Sequence, residues 1–236
     1  MFAGIMPDFD NFDPDEVFLH IGSGLVCVVG GMNWLLRLRP VSKLGFHPLY
    51  RTPLYLATLA GFLVLGVVVR RWADPQIRAN SGYVLLVFLM GGACLTIANA
   101  LIPWLGISLR DDAFERRNFA AVMALSGATL GVMVTYSAAN VGTGPSLWNN
   151  VFSSLLATGT LLLVWLVASL GRAAASITEE RDLATGLRLG ALLIAEGLIL
   201  GRAIAGNWVS AGATVLDFLR GGWPALLIFW SARVTR

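Results

Sequence analysis

The sequence predicts an all-α fold, a polytopic transmembrane helix bundle of about seven spans with a parallel internal repeat of two-helix units. Three observations carry this prediction. The 236 residues are 56% hydrophobic and only 13% charged, whereas a soluble domain is about one quarter charged. Seven stretches are apolar over the length, about 20 residues, that a helix needs to cross the hydrocarbon core. The middle of the chain also repeats itself at an offset of 64 residues. This composition excludes a globular cytosolic domain and a disordered chain. Cys27 and Cys94 both lie inside apolar runs, where a thiol behaves as a small hydrophobe, so no disulfide scaffold is implied.

The first span is expected at 17–37. The segment before it, 1–16, carries Asp8, Asp10, Asp13, Asp15 and Glu16 and no cation, the reverse of a signal peptide's positive leader. The span therefore reads as an uncleaved anchor behind an acidic outer segment, whose Phe2, Phe9 and Phe12 are candidates for the interface. A second span at 52–70 completes the region 17–82. Spans at 83–108 and 115–141 form repeat unit one (83–142), and spans at 147–171 and 182–206 form unit two (147–206). The last region, 209–236, holds a span at 209–232 with Asp217, Arg220 and, in its middle, Pro224, which predicts a kink or tilt.

Cytoplasmic loops are enriched in Lys and Arg, so alternate connections give the orientation. One set collects Arg37, Arg39, Lys43, Arg51, Arg110, Arg116, Arg117, Arg172, Arg181, Arg233 and Arg236, and the other collects Arg70, Arg71 and Arg78. The N-terminus is thus expected outside and the C-terminus in the cytoplasm, which requires an odd number of spans. The basic loop from Arg37 to Arg51, with His47 and Tyr50, is expected to touch anionic headgroups. The net charge of +3 is spread in short clusters between apolar runs, which gives orientation and no nucleic-acid surface.

The repeat aligns Glu115-Arg116-Arg117-Asn118-Phe119-Ala120 with Glu179-Glu180-Arg181-Asp182-Leu183-Ala184, Leu125 with Leu189, and Gly142 with Gly206. Asp112-x-x-Glu115 and Ser176-x-x-Glu179 share one register, and each reads as a capping box at a helix start. Two spans separate the copies, so both point the same way and are related by an axis along the membrane normal. An inverted-repeat transporter is disfavoured. These elbows, an acid and a charge cluster before an Ala-rich, Gly-containing span, resemble the uncharacterised bacterial membrane family known as domain of unknown function 350. The resemblance covers roughly 83–142 and 147–206, with Asp182 where the family's turn has Asn. It implies a bacterial inner-membrane protein and brings no established activity.

Charged groups within spans cost about 2.5–3.5 kcal/mol each on insertion scales, so they are functional candidates. Arg188, Glu196 and Arg202 fall in the sixth span, and Asp217 and Arg220 in the seventh. A hairpin folded about 209–210 would pair Arg202 with Asp217 and Glu196 with Arg220, with Arg188 snorkelling to the headgroups. Structural neutralisation is the first reading of this network, and an ion or proton path is the second. Gly186, Gly190, Gly197 and Gly201 form one close-contact stripe, matched by Gly127 and Gly131 in the fourth span. The three charges of the sixth span point away from its stripe, which predicts a central helix with no face on lipid. Ser126, Thr129, Thr135, Tyr136, Ser137 and Asn140 give the fourth span a polar face best read as packing, and Asn99 reads as an interhelical bridge.

Retinal chemistry needs a lysine in the last span, and Lys43 lies in the first inner loop. Bis-histidine haem needs two histidines at one depth, whereas His20 and His47 lie at opposite ends of the first span. His20 near Ser23 lacks a third orienting group, and no metal-ligand cluster or phosphate loop is present. The acids of the elbows read as helix caps in preference to a cation site. No catalytic residue, cofactor or metal is therefore expected. The expected role is a non-enzymatic accessory or structural subunit of a homo- or hetero-oligomeric membrane assembly, its partners being the bilayer, other membrane subunits or copies of itself. The alternative is a channel or transporter using Glu196, Arg202, Asp217 and Arg220.

Overall fold

The computed structural model describes residues 13–38, 51–170 and 172–234. The N-terminal phenylalanines and the basic loop with Lys43, His47 and Tyr50 lie outside the described residues. The long helices are α1 (Pro14–Leu38), α2 (Thr52–Trp72), α4 (Ser81–Leu101), α5 (Phe119–Ala138), α6 (Leu147–Ser169), α8 (Leu183–Ile204) and α9 (Ala211–Val234), with short α3 (Pro75–Ala79) and α7 (Ala173–Thr178) between them. No strand occurs among the described residues, so the protein is an all-α bundle.

Six helices, namely α1, α2, α4 with its continuation to Leu105, α5, α6 and α8, are long and apolar enough to cross a membrane. They make the chain a multi-pass membrane protein. The seventh expected span, α9, has the length but not the hydropathy to stand with those six. It is interrupted by Asp217, Arg220 and an internal Pro224.

Helix boundaries follow local chemistry. Pro53 and Pro75 occupy first turns, where no amide partner is lost. Asp74 and Asn80 cap α3 and α4 by accepting from the amides of Gln76 and Gly82. The α4 helix tightens to a 3₁₀ turn, Ile102–Leu105, and stops at Gly106, whose φ of +93° only glycine adopts freely. The elbow that follows is no simple turn, because a single π-helical turn, Leu109–Glu115, fills it.

This geometry moves the caps. The residues that cap the repeat helices are Asn118, accepting from the amides of Ala120 and Ala121, and Asp182, accepting from those of Ala184 and Thr185. They stand six residues beyond the boxes expected at Asp112 and Ser176. Asp112 instead accepts from the Ser108 amide and pairs with Arg116, and Glu115 pairs with Arg110 at 3.0 Å. Ser176 lies within α7 and Glu179 is its C-cap. A residue in the left-handed region, Arg117 (φ 52°) or Arg181 (φ 56°), precedes each true cap and reverses the chain, so the preceding acids fall outside the helix.

Residues 64 apart meet. The Thr143 amide donates to Asn207 Oδ1 at 3.0 Å, Cys94 Sγ lies 4.0 Å from Thr158 Oγ1, and a Cβ on Gly142 would strike Gly206. The two units therefore pack against each other, with α5 laid along α8. These helices are parallel and in backbone contact. A Cβ on Gly131 would sit 2.5 Å from Leu193 O, one on Gly190 2.7 Å from Met123 O, and one on Gly197 2.8 Å from Gly131 Cα. Gly186 and Gly127 meet Ala120 and Gly190 in the same way, and Gly201 rests on Ala138.

The core gathers round α5, with Leu65, Leu86, Leu125, Tyr136, Leu161, Trp165 and Leu193 fully buried. The central helix is therefore α5, not α8. Leu187, Arg188, Leu198 and Arg202 are exposed on α8, correcting the expectation that it has no outward face. The bundle has two ends. Trp72 O accepts from the Gly142 amide, placing the end of α2 beside the loops at 142–146 and 205–210, here termed the loop end. The Arg51 guanidinium stacks 4.7 Å over the Phe114 ring, placing the start of α2 at the elbow end.

Candidate functional site

Buried polar side chains in a bundle are normally hydrogen-bonded, so the exceptions mark a site. In α5 the rule holds. Ser126, Thr135 and Ser137 bond the carbonyls of Val122, Val132 and Met133, Tyr136 Oη donates to Val87 O at 2.7 Å, and Asn140 Nδ2 donates to Tyr136 O. Thr135 and Thr158 also share a bond of 3.0 Å between α5 and α6. The polar face expected on this span is a packing face.

The exceptions lie elsewhere. Among the described residues, the buried side-chain atoms without a partner are Asn149 Nδ2, Ser154 Oγ, Trp165 Nε1, Ser169 Oγ and both carboxylate oxygens of Glu196. Four of these residues belong to α6 and the fifth to α8, which pack against each other. At 100° per residue, Ser154, Thr158, Trp165 and Ser169 fall on one stripe of α6. Glu196 is 0% exposed. The Gly197–Gly131 contact and the approach of Leu161 to Gly131 set it at the depth of Leu161 and Thr158, between Ser154 and Trp165.

The remaining charges do not join it. Asp217 and Arg220 pair with each other at 3.9 Å along α9, with side chains 72% and 70% exposed. The expected pairs Arg202–Asp217 and Glu196–Arg220 are not formed. The reason is rotational, since α9 turns Gly221 and Gly222 towards Ala203 and Leu200, carrying Arg220 to the outer side and leaving Asp217 beside the loop-end pocket. Arg188 and Arg202 are likewise exposed on α8. Glu196 therefore stands apart from the cations expected to neutralise it.

At the loop end lies a polar pocket of about 80 Å³, walled by Asn149, Asn150, Ser153, Asn207, Thr214 and Asp217, room for several waters at about 10–15 Å³ each. A larger apolar cavity of about 210 Å³ separates α1, α2 and α4. Asn99 opens into it beside Asn33 and Thr96 and does not bridge helices. His20 contacts backbone oxygens of Glu16 and Gly82, and Ser23 Oγ donates to Leu19 O. Outside the membrane helices, Asp182 is held below the usual carboxylate range, chiefly by the Thr185 hydroxyl, with the amides of Ala184 and Thr185 and nearby Arg188 adding to it against burial.

Taken singly, Asn149, Ser154, Trp165 and Ser169 look ordinary in the sequence, as isolated polar residues in an apolar run. A signal existed in the offset. Their unit-one counterparts are Leu85, Met90, Leu101 and Leu105, and that of Glu196 is Val132. A family model described as Domain of Unknown Function (DUF350) matches residues 76–204. No curated protein and no solved structure matches the chain.

Proposed function

This chain belongs to the DUF350 family, and from its exposed charges we propose that it works as a non-enzymatic subunit of a membrane assembly, built from copies of itself through α9. The supporting observation is the Asp217–Arg220 pair. It lies about two turns into α9 and is exposed, with Arg220 on the outer side and Asp217 beside the mouth of the loop-end pocket. Facing hydrocarbon, each charge would cost about 2.5–3.5 kcal/mol. Facing a second α9 across a two-fold axis, Asp217 of one copy meets Arg220 of the other, and an isologous contact satisfies both pairs at once.

Topology belongs to the same proposal. The elbow end carries Arg51, Arg110, Arg116, Arg117, Arg172 and Arg181, against Arg70, Arg71 and Arg78 towards the loop end. The positive-inside rule puts the elbows in the cytoplasm of a bacterial inner membrane. With α9 as a seventh span the N-terminus lies outside and the C-terminus inside. The reading calls for no catalytic step and no cofactor.

The mass of the purified full chain in detergent, measured by light scattering with the detergent subtracted, tests it. A dimer or larger oligomer that weakens in Asp217→Asn combined with Arg220→Gln is expected. A monomer at all concentrations, with no stoichiometric partner recovered from native membranes, would remove the proposal.

A further inference from the structure

We propose that Glu196 is a proton-binding site inside the bundle, reached from the loop end along the stripe of α6 that bears Ser154. The inference is independent of assembly through α9. It starts from the cost of an unpartnered group. A buried carboxylate with neither oxygen hydrogen-bonded and no cation beside it is several kcal/mol less stable than the neutral acid. The bundle therefore carries Glu196 as the acid, with a proton on one oxygen and nothing fixed to receive it.

The elements packed against α8 offer no counter-charge. In α5 the sole titratable group is Tyr136, whose hydroxyl already donates to Val87 O. The helices α6 and α7 contain no titratable side chain, and on α9 Asp217 and Arg220 are exposed and engaged with each other. A metal cation is disfavoured as the ligand, because hard cations gather about six to eight oxygens and Glu196 supplies one carboxyl group.

Proton access follows from the other orphaned atoms. Asn149 is 8% exposed, and its unpartnered Nδ2 belongs to a residue that walls the loop-end pocket. Ser154 Oγ lies five residues further down α6, about 140° round the helix from Asn149, and Glu196 lies deeper still, about 12 Å below the end of α8 at 1.5 Å per residue. Trp165 and Ser169 continue the stripe towards the elbow end. Unpartnered hydroxyl and indole groups along one stripe are what a thread of water needs for its two to four bonds per molecule. The step itself is a proton transfer: the O–H bond of the Glu196 acid breaks as a water oxygen takes the proton, and re-forms on its return, with no change of oxidation state.

Infrared difference spectroscopy of the full chain in lipid nanodiscs tests this. The wild type is expected to show a protonated-carboxyl C=O band that Glu196→Gln lacks and Glu196→Asp moves, and the band should shift promptly on transfer to D₂O. Ser154→Met, which installs the unit-one residue, should slow that shift. A wild-type spectrum identical to Glu196→Gln, or a band that stays put in D₂O while the protein remains folded, would overturn the proposal. An unaltered exchange rate in Ser154→Met would overturn the α6 route.

Discussion

Units one and two share a backbone plan and differ in how they treat buried polarity. In unit one the polar side chains of α5 are spent on carbonyls and on Thr158, and they fix helix against helix. In unit two, Asn149, Ser154, Trp165, Ser169 and Glu196 replace Leu85, Met90, Leu101, Leu105 and Val132, and each leaves an atom unpartnered. A satisfied polar group stabilises a bundle, whereas an unsatisfied one costs about 1–3 kcal/mol and needs another reason to be there. Duplication supplied one scaffold twice. Among the described residues, the unpartnered buried side-chain atoms lie in the second copy.

The α5–α8 contact gives the largest expected effect. Gly131→Val drives a Cβ towards Leu193 O on the facing backbone, which cannot yield as a side chain would. It should lower unfolding free energy by about 3 kcal/mol. The equivalent Ala195 is only half-buried, and Ala195→Val should change it by about 0.5 kcal/mol. Equal losses at both sites, measured by denaturant titration in detergent, would place the contact elsewhere.

The caps sharpen the comparison further. Asn118 is buried, accepts from two amides and donates to Ile177 O, so Asn118→Ala should cost about 1–2 kcal/mol. Its counterpart Asp182 is ionisable and its pKa is depressed, so its contribution is complete above the ordinary carboxylate range and fades as pH falls through the depressed value. Hydrogen exchange at Ala184 and Thr185 should accelerate in that acid range, while Ala120 and Ala121 show no such step. The smallest effect concerns Arg181, which holds φ at 56°. Arg181→Gly should raise stability by about 0.5–1 kcal/mol, and a loss would mean that the side chain has a structural task.

The sequence makes the apolar spans plain because hydrocarbon demands long uninterrupted helices. The 64-residue spacing is likewise the spacing of Thr143 and Asn207, which meet at the loop end. Elbow details are less legible, since Asp112-x-x-Glu115 satisfies the capping pattern while Arg117, in a left-handed conformation, defers the helix start to Asn118. Ion pairing misled for a related reason. Depth along two helices can be counted from a sequence, but their rotation depends on which face carries the small residues, and Gly221 against Ala203 turned Arg220 outward and left Asp217 beside the loop-end pocket. Trp165 and Ser154 carry no such pattern, since a missing hydrogen-bond partner is a property of three-dimensional packing alone.

The unfolding free energy of Glu196→Val, in the same detergent as the wild type, bears most directly on the difference between the units. This change gives unit two the residue of unit one. If Glu196 is an unpartnered acid, the variant should be more stable by about 1–3 kcal/mol. A variant less stable than the wild type would show that the carboxyl group is holding the bundle together, and the distinction between the two units would fail.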